Sequence, residues 1–261
     1  MGSYFGVPLG IHWTTLLSLS ILALFSPFSF FILFGTFFFV IFHEYGHVLA
    51  GKVFGVPTKD VTLYPLGGVA SMQLSLCNSS KKEFFIAIAG PLVNIFFALL
   101  FFPLIEIYFF LVCFVINLSL ALFNLLPIFP MDGGRIFRSF IRLFIKNLNL
   151  ATRIAVSFGQ FLCFIFIFLS VFYGEYILAA IFIFLIFLGN VETHVIKLIS
   201  SLPDIKKQAA EILGKPELIN ASNSKLIDAL DQVASQSAEY TWFELEHKLP
   251  DLKMLEENGL I

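Results

Sequence analysis

Charge is what this sequence has least of: Asp, Glu, Lys and Arg make up 13% of its residues, about half the share of an ordinary soluble domain. That scarcity excludes a chain held in solution by a charged surface. No Lys/Arg-rich run with interleaved aromatics occurs, and the net charge is -2, so nucleic acid is not an expected partner. Cysteine is equally sparse. Cys77, Cys113 and Cys163 are far apart and form no Cys-x-x-Cys pair, which excludes a disulfide framework and a thiolate metal site and leaves them as small apolar side chains. Position 6 is Gly6 rather than the Ser or Thr of a myristoylation signal. The first apolar segment has no basic flank and no small-residue cleavage site, and so reads as a retained span rather than a signal peptide.

What the sequence does have is apolar bulk: 58% hydrophobic residues, 35 phenylalanines and a mean hydropathy of +0.90. Such a chain is a multi-pass membrane protein, and helices are the form that satisfies every backbone polar group in lipid without a closed barrel. Six spans can be laid down, roughly at 11–27, 28–51, 84–102, 107–126, 154–173 and 176–195. Ser26-Pro27 marks the turn between the first two, since proline removes a helical donor and biases the preceding residue away from helix. The expected fold is therefore an all-α integral membrane protein of six transmembrane helices, with a short membrane-associated β-hairpin and a helical cytoplasmic tail.

The basic residues test this division. Lys52, Lys59, Lys81 and Lys82 follow the second span; Arg135, Arg138, Arg142, Lys146 and Arg153 follow the fourth; the rest of the 16 follow the sixth. None falls in the turns after spans one, three and five. By the positive-inside rule both termini and every even-numbered loop are expected in the cytoplasm.

Two pieces on that side are not spans. In "KDVTLYPLGGVASMQL", within a hairpin region of about 59–75, β-branched and apolar residues flank Gly67-Gly68, the signature of two strands joined at a tight turn. Pro65 would confine its strand to an edge. In "RIFRSFIRLFI", Arg135, Arg138 and Arg142 recur at helical spacing opposite a Phe and Ile face, which predicts a short helix lying in the membrane interface over about 135–146. From about Leu202 the composition turns polar, with Pro203, Pro216 and Pro250 punctuating expected helices such as 225–235. The expected organisation is a membrane domain over 1–200 and a soluble helical tail over 201–261. That tail is short for an independent domain, so it is expected to pack on the membrane domain or on a partner chain.

The chemistry is concentrated in "FHEYGHVLAG" at the end of the second span. His43 and His47 are four apart, so on a helix both imidazoles can reach one ion. Glu44 beside them completes H-E-x-x-H, whose histidines bind zinc and whose glutamate serves as general base. Ionisable groups near the bilayer interior cost roughly 2.5–3.5 kcal/mol each even on lenient scales, and a bound cation compensates that cost. A set of polar residues satisfied inside a helix bundle, without metal, is the alternative. Catalytic zinc wants a third protein ligand. His12, His194 and His247 have no pattern supporting that role. Asp132 in "FNLLPIFPMDGGR" is a candidate because Pro127, Pro130, Gly133 and Gly134 break the helix there, and irregular backbone at membrane depth lines protein or a watery cavity. A turn carboxylate pairing with Arg135 is the other reading of Asp132.

Together these segments resemble the site-2 protease family of intramembrane zinc metalloproteases. "HEYGH" is similar to its zinc helix and "NLLPIFPMDGG" to its N-x-x-P-x-x-P-x-D-G motif; "FGVPLGIHWT", "YPLGGVA" and "AGPLVN" extend the resemblance over about the first 140 residues. The resemblance implies that His43, His47 and Asp132 hold one Zn2+ per chain and that Glu44 activates water. It implies that Asn124 holds the scissile peptide or its oxyanion. Asn94 either touches the site or packs helices through Gly90; His12 caps the first span. Glu175, Glu192 and His194 read as residues at span ends.

Many relatives carry paired nucleotide-sensing repeats after the last span, and the tail here is too short for them, so no adenine-nucleotide control is expected. The resemblance also implies a compact prokaryotic-type member in the cytoplasmic membrane. Its partners would be the lipid bilayer and a single-span membrane-protein substrate. An unwound substrate could pair as an added strand beside Gly67, Gly68, Val69 and Ala70. The rival reading is a multi-pass zinc or ion transporter using the same His, Glu and Asp cluster. Against it, the fifth and sixth spans hold almost nothing ionisable away from their ends.

Overall fold

The computed structural model of the chain describes residues 2–4, 7–56, 58–64, 67–72, 79–212 and 217. Along these run β1 (Gly2–Tyr4), β2 (Val7–Ile11), α1 (Trp13–Phe25), α2 (Pro27–Val53), β3 (Thr58–Tyr64), β4 (Gly67–Met72), α3 (Ser80–Phe101), α4 (Tyr108–Leu125), α5 (Asp132–Ile141), α6 (Leu148–Phe172) and α7 (Tyr176–Ile212). The chain divides into two units, Met1–Gly189 and Asn190–Ile261. Cys77, Pro65 and the tail features expected at Pro216, 225–235, His247 and Pro250 lie outside the described residues. Helix α7 continues past the compositional change near Leu202 and carries Pro203 within it.

Among the described residues, five helical stretches are long and apolar enough to cross a membrane: Phe28–Val53, Ser80–Leu104, Tyr108–Leu125, Leu148–Phe172 and Tyr176–Ser201. Helix α1, expected as the first of six spans, has 13 residues, roughly 20 Å at 1.5 Å per residue, against a hydrocarbon layer of about 30 Å. The reason is local. Residues 7–11 go to strand β2, which leaves the helix to begin at Trp13, and Ser26 ends it. Ser26 Oγ accepts the Ser29 N–H (3.4 Å) and Pro27 takes the first position of α2, where a missing N–H costs nothing.

The sheet has the order β1-β2-β3-β4. Strand β2 lies parallel to β3 and antiparallel to β1, so the N-terminal segment is strand, which the apolar pattern did not foretell. Strands β3 and β4 pair antiparallel, with Tyr64 opposite Gly67, Leu63 opposite Gly68, Thr62 opposite Val69 and Val61 opposite Ala70. Gly67 and Gly68 therefore lie inside β4 and not at the turn where their sequence placed them. Alternating side chains look alike for registers two residues apart, so the pattern could not separate the two.

Phenylalanine does the gluing between α2, α3 and α4: Phe39 meets Phe97 and Phe101 at 5.4 and 5.9 Å, and Phe101 stacks on Phe110 at 5.8 Å, within the range for favourable ring pairs. Others face outward. Phe31, Phe96 and Phe168 are 69%, 61% and 70% exposed, a surface suited to lipid.

Helix α5 differs from the expected helix over 135–146 in its bounds and in the burial of Arg138. It begins at Asp132, and Arg138, expected on a headgroup-facing stripe, is 1% exposed. Its Nε and Nη2 donate to Glu83 Oε1 at 2.8 and 2.5 Å; Arg142 Nη1 donates to Glu83 Oε2 at 3.1 Å. The Arg138 guanidinium also lies 5.0 Å from the Phe129 ring centre. Counting arginines along one helix missed this because the counter-charge sits 55 positions upstream, on α3. The pair rivets α5 to α3. Glu83→Leu is expected to destabilise the fold by about 3–5 kcal/mol, as for a buried charge robbed of its partner, with Arg138→Met in the same chain restoring most of the loss. Thermal unfolding of the detergent-solubilised protein measures both.

Candidate metal centre

Helix α2 is apolar for four turns before it reaches His43, Glu44 and His47, so its helical geometry delivers the two imidazoles to one side in the interior of the bundle. They are 4% and 5% exposed. Asp132 arrives from elsewhere. Pro127 holds Leu126 in an extended conformation (φ -58°, ψ 131°) that ends α4, the chain turns through Ile128–Met131, and α5 starts at Asp132 itself. Gly133 permits the tight return, for a Cβ there would run into the carbonyl oxygens of Leu125 and Leu126.

Three atoms converge as a result. His43 Nε2 is 3.0 Å from Asp132 Oδ2, His47 Nε2 is 3.2 Å from the same oxygen, and the two Nε2 atoms are 3.1 Å apart. Among the described residues this trio is the group of His, Cys, Asp and Glu able to share an ion. The outer ring nitrogens are engaged: His43 Nδ1 meets Asn94 Oδ1 at 2.5 Å, and His47 Nδ1 meets the Ile86 carbonyl at 2.7 Å. A carbonyl only accepts, so each ring carries a proton on Nδ1, and in its neutral form turns a bare Nε2 inward. With both rings neutral, three lone-pair donors face one another. That arrangement repels itself unless a cation sits between them. Ligand bonds of about 2.0–2.1 Å in a tetrahedron place neighbouring donors about 3.3–3.4 Å apart, close to the spacing here. The residues fit a zinc ion, with the outer hydrogen bonds orienting each ring in the usual supporting manner.

Helix α3 supplies that support from one face. Ile86, Gly90 and Asn94 follow at intervals of four, and Gly90 is the wall: a Cβ on it would lie 2.6 Å from His43 Nε2 and equally against His47. The Ile86 carbonyl and the wall formed by Gly90, which the sequence offered only as a helix-packing position, were not foreseen, nor was the Glu83 anchor. The four-residue recurrence along an apolar span was the signal for the first two.

Other candidates fall in different places. Glu44 is buried at 8% exposure, next to His43 on α2. Asn124 is half-buried at the end of α4, and its Nδ2 donates to the Leu120 carbonyl one turn back (2.9 Å). Gly67, Gly68, Val69 and Ala70 lie in β4, which pairs with β3 and packs along α2. His12 Nδ1 accepts the Thr14 N–H (3.4 Å) and meets Thr14 Oγ1 (2.7 Å) at the head of α1, a capping arrangement. His194 and Glu175 are exposed on and before α7; Glu192 is half-buried. Cys113 and Cys163 are buried free thiols.

The sequence pattern of peptidase family M50 matches residues 30–110 and 104–167, a little over half the chain. A zinc metalloprotease of Methanocaldococcus jannaschii is 27% identical over 272 aligned positions, covering 98% of this chain and 74% of that protein. Stage IV sporulation protein FB of Bacillus subtilis is 34% identical over 130 positions, 48% of this chain and 44% of that one. Among solved structures, the site-2 protease from Methanocaldococcus jannaschii superimposes with a TM-score of 0.58 at 29% identity, over 74% of this chain and 94% of that chain.

The Gly90 wall yields a test. Gly90→Ala is expected to reduce bound metal from one equivalent to a small fraction while costing the fold about 1–3 kcal/mol, the usual penalty for one methyl group too many. Elemental analysis of the purified protein beside its circular dichroism melt separates the two effects.

Proposed function

Because this chain belongs to peptidase family M50, the site-2 proteases, we propose that His43, His47 and Asp132 hold its single zinc and that it cuts a peptide bond in or beside the transmembrane segment of a single-span membrane protein. The observation that carries this reading is the convergence of Nε2, Nε2 and Oδ2 within 3.2 Å of one another. Family membership makes the chain a membrane metalloprotease; the ion-transport reading draws no support from it.

Zinc, when bound, polarises a carbonyl and acidifies water. The remaining steps belong to side chains. Glu44, adjacent to His43, takes a proton from water and later delivers it to the departing amine. Asn124 donates its amide to the carbonyl oxygen as negative charge develops there, for which Nδ2 must first release the Leu120 carbonyl. Burial of the trio excludes bulk water, which strengthens each of these interactions.

A helical substrate hides its carbonyls in its own hydrogen bonds and has to unwind. Strand β4 offers a template, since among the described residues it pairs only with β3 and lies along the helix that bears the histidines. An extended segment beside Gly67, Gly68, Val69 and Ala70 would satisfy its backbone there. In this reading α1 is a short sixth membrane element, and the one-sided lysines and arginines place both termini and the site's opening in the cytoplasm. The stretch 201–261 serves as a soluble tail that packs on the membrane domain or binds a partner chain. The cytoplasmic membrane of a prokaryote is the setting, and no adenine-nucleotide control is proposed.

Two sets of variants test separate parts. Glu44→Gln is expected to keep one zinc per chain and lose about 10²–10⁴-fold in cleavage of a single-span substrate; mass spectrometry of the fragments reads the cut, and wild-type cleavage equal to that of the variant would refute the assignment. Val69→Pro or Ala70→Pro is expected to slow cleavage while sparing zinc, because neighbouring strand residues turn their N–H groups to opposite sides and one of the two prolines removes a donor from the edge; unchanged turnover in both discards strand addition.

A further inference from the structure

Asn117 lies on α4 in an otherwise apolar stretch, fully buried at 0% exposure, and takes no part in the chemistry above. A buried amide in a membrane bundle must find partners, and those of Asn117 form a directed chain. Its Nδ2 donates to the Cys113 carbonyl at 2.9 Å, one turn back on the same helix. A carbonyl cannot donate, so this bond dictates which end of the Asn117 amide points where: Oδ1 faces away from Cys113, toward α3. There it accepts from Asn94 Nδ2 at 3.1 Å. Asn94, also 0% exposed, consequently presents Oδ1 to His43 Nδ1 at 2.5 Å. Were the Asn94 amide reversed, its NH2 would face His43 Nδ1, the ring proton would have to move to Nε2, and the lone pair aimed at the metal would be lost. His47 needs no such device because a backbone carbonyl holds it.

We propose that Asn117, two residues removed from the metal, is a positioning residue that fixes the Nδ1–H tautomer of His43 by locking the orientation of the Asn94 amide. The inference rests on the zinc assignment above. It explains why a strongly polar side chain is kept in the middle of an apolar helix.

The test uses the full-length protein in detergent, with zinc affinity measured by competition against a chromophoric chelator. Asn117→Leu is expected to weaken zinc binding about 10–100-fold, the usual effect of losing a residue that orients a ligand. The decisive comparison adds Asn94→Asp. A carboxylate presents an acceptor oxygen whichever way it is turned, so it needs no lock, and Asn94→Asp/Asn117→Leu is expected to bind zinc as tightly as Asn94→Asp alone. Equal losses in both backgrounds would mean that Asn117 matters only for packing and would overturn the proposal, as would wild-type affinity in Asn117→Leu. Nitrogen-15 NMR of ring-labelled wild-type apoprotein supplies a reading that needs no variant: a protonated Nδ1 and bare Nε2 on His43 are expected, and the opposite tautomer overturns the proposal. Failure of the wild type to take up zinc would instead overturn the metal assignment itself, with the tautomer still read from the apoprotein.

Discussion

Mutual repulsion among three lone pairs is the constraint on which the rest of this structure depends. Two imidazole nitrogens and a carboxylate oxygen stand about as far apart as water molecules in contact, and with both rings neutral none has a hydrogen to offer the others. Holding them there without an ion costs free energy, and holding them there for an ion requires every neighbouring group to be arranged in advance. The two ring protons must leave by the far side, hence an acceptor behind each ring. The face of α3 against the rings must carry no side chain, hence Gly90. The carboxylate must come from a different helix, hence a chain break between α4 and α5.

That break is made tolerable by what surrounds it. Ile128 and Phe129 are 2% exposed, so the irregular backbone is sealed within protein, where neighbouring groups can satisfy it, rather than facing lipid. Phe129, Ile141, Ala151, Ala155 and Val156 form one apolar cluster joining the turn, α5 and α6, and the Glu83–Arg138 pair closes the arrangement from the side of α3. A buried ion pair contributes little net stability when weighed against an apolar substitute. Its contribution here is positional: it sets where α5 lies, and α5 begins with the ligand.

Much of the centre was legible beforehand because its determinants are short-range. H-E-x-x-H is a spacing on one helix, and the Pro127, Pro130, Gly133, Gly134 cluster around Asp132 announces a break without any knowledge of tertiary contacts. Membrane character was equally plain, being a matter of composition. What stayed hidden is either backbone or long-range. The Ile86 carbonyl carries no side-chain signature. Glu83 and Arg138 are separated by 55 positions, and only folding makes them neighbours. The strands at Gly2–Tyr4 and Val7–Ile11 are too short and too rich in glycine and proline to declare themselves, and they exist because β3 provides an edge for them. Taking those residues into a strand is also what shortens α1.

The spacing of Ile86, Gly90 and Asn94 has an evolutionary corollary. Each lies four residues after the last, so a single residue inserted between the first and last would swing part of α3 by about 100° and carry a ring acceptor or the bare wall out of place in one step. Substitutions along this helix can be tried one at a time, whereas changes of length cannot. Descendants of this chain are therefore free to drift in the exposed positions Leu92, Phe96 and Leu99 but are held to a fixed count of residues between the two ends of that face.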